Sequence, residues 1–133
     1  MEPHQRLTLA GVVMLHLIAS VVHGSAHNGA AVEQGPAAMA FIVLVIIAGP
    51  LIGVAWMWLN PRAGARLIAI TMAASLLFGL INHFIIPGAD RVDHVAAAWR
   101  SLFESTAVLL AILEAAGAAL GFAYGRRVVR RLV

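Results

Sequence analysis

Cysteine and lysine are absent from the chain, and only 11% of its 133 residues are charged. The lack of cysteine excludes a disulfide-stapled secreted scaffold, a Cys-x-x-Cys-His haem attachment and thiol redox chemistry. A glycine-rich phosphate loop is missing too, which removes nucleotide hydrolysis, and there is neither a nucleophile elbow nor a paired Glu-x-x-His set. No internal repeat and no low-complexity linker divides the sequence, so residues 1–133 read as a single domain.

What is present is apolar. Hydrophobic residues make up 62% of the chain and the mean hydropathy is +0.92, whereas soluble domains are about half apolar and about a quarter charged. Disordered chains are poor in apolar residues, so disorder is excluded as well. Four apolar stretches, about 7–27, 37–59, 67–86 and 96–124, each meet the roughly 20 residues that a helix needs to cross the hydrocarbon core of a bilayer. None alternates with a period of two, so barrel strands are excluded. The expected fold is all-α, with four transmembrane helices in an up-down-up-down bundle. The first stretch has the outline of a signal peptide, with Arg6 before it and Gly24-Ser25-Ala26 after its core, but its apolar run is long for one; it reads as a structural helix. Gly49-Pro50 should kink the second helix. The run of small residues from Ala115 to Gly121 on the fourth should let a neighbour approach closely.

All nine basic residues are arginines, against six acids. Arg6, Arg62 and Arg66 fall on the same side as the cluster Arg126, Arg127, Arg130 and Arg131, while Arg91 and Arg100 fall on the other. The positive-inside rule then places both termini in the cytoplasm and turns loops 28–36 and 87–95 outward, as in a prokaryotic cytoplasmic membrane. The basic tail reads as an anchor to anionic headgroups and not as a nucleic-acid site. Trp56, Trp58 and Tyr124 fall at the inner interface and Trp99 at the outer.

Polar side chains inside membrane helices are expensive, and they mark functional sites or partnered structural ones. Six histidines occur in this chain. His16, His23 and His27 are spaced by seven and four residues, which at about 100° per residue puts all three on one stripe of the first helix. His23-x-x-x-His27 is also the spacing at which two imidazoles reach one metal ion. Counted along their helices at about 1.5 Å per residue, His23, His27, His83 and Glu104 come to one level, within about one turn. These four are the expected metal ligands, with His94 or a loop carboxylate, Asp90 or Asp93, as a further donor from residues 87–94. Nitrogen and oxygen donors without sulfur suit Zn, Fe or Cu(II). With an open coordination position the centre could act on a lipid-soluble substrate entering between helices, and Glu104 or Asp93 would then be the general base.

The same arithmetic pairs His16 with Glu114 deeper in the bilayer, as structural glue or as half of a proton path. Two other readings compete with the metal site. One is a haem b protein in quinone-linked electron transfer, with His23 and His83 as axial ligands and room left by Gly24 and Gly79. The other is a non-catalytic subunit, or a homo-oligomer, in a larger membrane complex, with the histidines serving only as a hydrogen-bond network. Arg100 and Glu104, four residues apart, could also simply pair with each other.

Overall fold

In the computed structural model residues 1–130 are described, with side chains through Arg126, so Arg131 of the basic cluster lies outside the described residues. Helix α1 covers Pro3–Gly29, and the second apolar stretch comprises α2 (Pro36–Phe41), a π-helical segment Ile42–Ala48 and α3 (Gly49–Leu59). The third comprises α4 (Pro61–Leu80) and a second π-helical segment, Ile81–Ile85; a 3₁₀ turn at Val92–His94 then leads into α5 (Ala97–Arg130). Four continuous helical stretches, Pro3–Gly29, Pro36–Leu59, Pro61–Ile85 and Ala97–Arg126, are long and apolar enough to cross a membrane. No strand occurs among the described residues.

Two helices start earlier than their apolar runs suggest, because capping chemistry and not hydropathy sets a helix start. Pro3 occupies the first turn of α1, and the Gln5 side chain accepts a hydrogen bond from the Glu2 backbone N–H at 3.1 Å. At α4 the Asn60 Oδ1 accepts from the Ala63 N–H at 3.0 Å and Pro61 follows as the first helical residue. Residues 60–66, expected as a loop, are therefore mostly the first turns of α4.

Both π segments precede a proline. Pro50 has no N–H to give to the carbonyl four residues back, and its ring crowds that carbonyl. The chain responds by widening, so that the Gly49 N–H bonds to the Leu44 carbonyl five residues back. The disruption expected at Gly49-Pro50 thus takes the form of a wide turn ahead of it. Before Pro87 the Ile86 N–H likewise donates to the Ile81 carbonyl at 2.8 Å, and Ile86 leaves the helix at ψ 127°. One residue added to a turn rotates the rest of the helix by about 100° around its axis.

Helix α5 packs against α1 and α4, and α4 packs against α3. In a bilayer, where lipid tails are as apolar as leucine, close packing would have to supply most of what holds such helices together. Glycines permit it. A Cβ at Gly121 would lie 2.7 Å from the Ala65 carbonyl oxygen, one at Gly117 would lie 2.6 Å from Met72 Cε, and one at Gly64 would overlap the Met57 backbone. Two apolar clusters result. Leu9, Val13, Met57, Ala65, Ile68 and Met72 fill one end of the bundle, and Ala26, Val32, Val95 and Phe103 fill the other.

Helix α1 ends in a Schellman turn. The Val32 N–H donates to the His27 carbonyl at 3.0 Å and the Ala31 N–H to the Asn28 carbonyl at 3.2 Å. Ala31 sits at φ 54°, the left-handed conformation in which glycine is the usual residue. A side chain there costs about 1–2 kcal/mol, so Ala31→Gly should stabilise the protein by about 1 kcal/mol after the extra entropy of glycine in the unfolded chain is counted. Denaturant unfolding in detergent checks this, and a loss of stability would contradict it. The turn has a functional consequence, because it folds residues 32–34 back over the end of α1.

Candidate metal centre

Three imidazoles from two spans meet at one end of the bundle. His23 and His27 come from the last turns of α1, and His83 comes from the π segment after α4. His23 Nε2 lies 3.2 Å from His83 Nε2 and 3.1 Å from His27 Nε2. All three histidines can offer ligand atoms within 4.8 Å of one another, close enough to hold a metal ion. His23 and His83 are buried and His27 is partly so. The Phe103 ring, fully buried, stands against all three, with centroid distances of 4.8, 4.7 and 5.1 Å to His23, His27 and His83.

The far nitrogens show how the rings are set. His23 Nδ1 is 2.8 Å from Thr106 Oγ1, and that hydroxyl donates its own proton to the Leu102 carbonyl at 2.6 Å. With its proton on that carbonyl Thr106 accepts from His23, an arrangement that puts the His23 proton on Nδ1 and leaves Nε2 a bare lone pair. His83 Nδ1 is 3.1 Å from the Asp90 carbonyl, which also only accepts, so His83 Nε2 is bare as well. Two lone pairs thus face each other at 3.2 Å. The His27 ring is held by the Gln34 amide, whose Nε2 stands 3.2 Å from His27 Nδ1. With that nitrogen donating, His27 gives its Nε2 proton to His23; turning the amide over offers the oxygen instead and frees the third lone pair.

The spacing is one that a metal ion could bridge. On a tetrahedral ion with metal–nitrogen bonds of about 2.0–2.1 Å, two nitrogens are about 3.3 Å apart. The observed 3.1 and 3.2 Å are nearly that spacing. Each imidazole is tied at its other nitrogen by an oxygen or amide, the kind of outer support that metal-bound histidines have. Asp90 adds a second sign. Its Oδ1 is buried and makes no well-formed hydrogen bond, standing 3.4 Å from His27 Nε2 and 3.3 Å from His83 Nδ1. Burial alone would raise the Asp90 carboxyl, but the His83 and His27 rings and the Gln34 amide outweigh it and hold the carboxyl below its ordinary value.

The other expected site residues do not join the histidines. Glu104 is exposed and lines a shallow surface groove with Arg100, Ser101 and Ser105, because Phe103 and Thr106 are the residues of that turn that face inward. Asp93 is exposed and makes a two-pronged pair with Arg91 at 2.6 and 2.7 Å, which holds its carboxyl below the usual value. His94 is exposed and its Nδ1 donates to the Gly88 carbonyl at 2.8 Å. Arg100 does not turn to Glu104. Its guanidinium donates to the carbonyls of Asp93 and Val95, both at 3.1 Å, and so clamps the loop ahead of α5. The deeper pair is present, with His16 Nε2 at 3.2 Å from Glu114 Oε1 and both residues buried.

A haem ligated by His23 and His83 fits this geometry poorly. Two nitrogens on opposite sides of one metal stand about 4 Å apart, twice the metal–nitrogen bond, with a flat macrocycle between them. Here the separation is 3.2 Å, and the His27 and Phe103 rings stand against each other beside the pair, 4.7 Å between centroids.

Thr106, Gln34 and Phe103 are the contributors that spacing arguments overlook, since hydroxyl, amide and phenyl groups are unremarkable in a sequence. Thr106 makes a testable contribution. Thr106→Val keeps the shape but removes the acceptor that fixes the His23 tautomer, and should weaken metal affinity by about 10–100-fold. Competition with a chelator of known affinity measures this, with Ser25→Ala, which removes an exposed hydroxyl on α1, as the control. No family model, curated protein or solved structure matches the chain.

Proposed function

We propose that this chain is an integral membrane protein that binds one transition metal ion through Nε2 of His23, His27 and His83. The observation that carries the reading is the convergence of those three nitrogens while each ring is held by a separate partner on its far side. In this reading the spans cross in alternating directions in a prokaryotic cytoplasmic membrane. Both termini are cytoplasmic, following the arginine distribution, and the metal lies near the outer face. The donor set favours Zn, Fe or Cu(II).

Three protein ligands are the number found in catalytic metal sites, which keep one position for water or substrate. Because the histidines also line the internal cavity, an ion held there is reachable from it. We therefore read the protein as a metalloenzyme for a lipid-soluble substrate. Asp90 takes the base role first expected of Glu104 or Asp93, since its free carboxylate oxygen is the one beside the histidines. Elemental analysis and an absorption spectrum of one detergent-purified sample test the reading. About one equivalent of zinc, iron or copper without a Soret band supports it. A Soret band would replace it with the haem reading, and no bound metal after loading would leave the histidines as a structural network.

A further inference from the structure

Between the two apolar clusters lies a cavity of about 440 Å³, within the roughly 300–1,000 Å³ of small-molecule sites. Its walls are apolar, built by Met39, Ile42, Ile46, Phe78, Leu110 and Ala111 from three spans. His23, His27, His83 and Asp90 close one end, and Glu114 lies at the other. Sequence and fold both make the space. Helix α1 meets the second span chiefly through α3, which leaves α2 and the π segment apart from it. A Cβ at Gly24 would meet nothing within 4 Å, and one at Gly79 only His83 Cδ2 at 3.9 Å. At the rim Val21 and Met39 are 65% and 47% exposed, and Gly24 beside them is exposed too. The opening between the first and second spans therefore faces the surface that lipid covers.

The lining selects a chemical class. Its titratable groups are the three histidines, Asp90 and Glu114, and no arginine lines it among the described residues. An anionic head, carboxylate or phosphate, would be buried beside the Asp90 carboxyl at one end or the Glu114 carboxyl at the other with no side-chain cation at either, and an ion held by the histidines already has Asp90 beside it as counter-charge, so such a head is costly. A cationic head would face the imidazoles and any ion they hold. A neutral head remains. The Asp90 Oδ1 narrows it further, because this buried acceptor has only a long contact to the His83 ring, whose Nδ1 proton goes to the Asp90 carbonyl, and so has capacity for a donor. A hydroxyl supplies a lone pair toward the histidine-held ion and a proton toward Asp90, whereas an ether or ketone leaves the carboxylate unsatisfied.

We propose that the cavity binds a neutral, hydroxyl-bearing lipophile that enters from the bilayer between the first and second spans. Its hydroxyl sits at the His23–His27–His83–Asp90 end and its apolar body lies along Ile42, Phe78 and Leu110. The inference rests on the metal reading for the anchoring of the hydroxyl oxygen, and on the cavity alone for the rest.

The test uses the full chain in phosphatidylcholine nanodiscs with three photoreactive probes of one chain: decan-1-ol carrying a diazirine, its methyl ether, and the matching decanoate. Crosslinks are mapped by mass spectrometry, and metal content is measured on the same samples. The alcohol should label Met39, Ile42, Phe78 or Leu110. The ether and the carboxylate should label them at least about tenfold less, a difference of about 1.4 kcal/mol. Gly24→Leu, which fills the cavity, and Met39→Trp, which blocks the rim, should each abolish that labelling with metal content unchanged; Ile18→Trp on the exposed face should not. Equal labelling by all three probes, or labelling confined to exposed positions such as Ile18 and Leu77, overturns the proposal. Absence of cavity labelling in metal-loaded protein defeats this inference and leaves the metal reading standing. Alcohol-selective labelling in a chain that takes up no metal supports the cavity and defeats the metal reading.

Discussion

Replacing His23 and His83 together by alanine should abolish the stoichiometric metal binding proposed above. Complete small zinc sites hold their ion with about 10–16 kcal/mol. Two of three nitrogen donors supply far more of such a total than the about 4 kcal/mol that corresponds to a thousandfold change in affinity. The remaining imidazole, His27, has the greatest exposure of the three and would hold an ion no better than a surface histidine does. The controls come from the surrounding geometry. Glu104→Ala, Asp93→Ala and His94→Ala should leave metal content unchanged, because all three side chains are exposed, away from the histidine nitrogens. A double variant that keeps its helical circular dichroism and elutes as one species, yet still carries a full equivalent of metal, would place the ion elsewhere. Loss of metal in Glu104→Ala would return that carboxylate to the ligand set.

Much of this site is legible in the sequence, for a simple reason. Polar groups in an apolar helix stand out, and the intervals of seven and four that separate His16, His23 and His27 fix one face whatever the neighbours do. Depth arithmetic works for the same reason, since helices of known rise connected by short segments bring His23, His27 and His83 to one level. It fails for Glu104 because level says nothing of direction. With Glu114 facing inward, Phe103 lies only about 20° from it around α5, while Glu104 lies about 80° off. The inward partner of His16 could therefore have excluded the ligand that depth alone recommends. Asp90, Asp93 and His94 could not be told apart, because their loop has no period; a Schellman turn, a 3₁₀ turn and the Arg100 clamp decide which of them meets the histidines. The π segment that carries His83 has no periodic signature of its own. Its only trace in the sequence is Pro87 just beyond it.

His16→Leu should lower stability by about 3 kcal/mol, and adding Glu114→Leu should restore most of it. The logic lies in the difference between making a buried pair and orphaning half of one. Hydrogen bonds between membrane helices contribute about 0.6 kcal/mol on average and at most about 1.7, so loss of the bond cannot account for a large effect. What costs is the carboxyl that remains. Glu114 is 4% exposed, and its ring partner stands 3.2 Å away at 2% exposure; without that ring its Oε1 has no partner in the apolar interior. Removing one member of a buried pair typically costs about 3–5 kcal/mol, whereas replacing both with apolar residues of similar volume is often neutral. The low end applies because Glu114 also lines the cavity, where water can reach it. Denaturant titration of the single and double variants in detergent measures the coupling. If the pair is structural glue alone, the double variant keeps near-native stability and whatever metal the parent binds. If the chain is the metalloenzyme proposed above and the pair passes protons to the cavity, the double variant is as stable and as metal-loaded as the parent but loses turnover, so stability and activity come apart in one protein. A double variant less stable than His16→Leu would refute the argument at its base, since it would mean that the two side chains contribute independently and were never a pair.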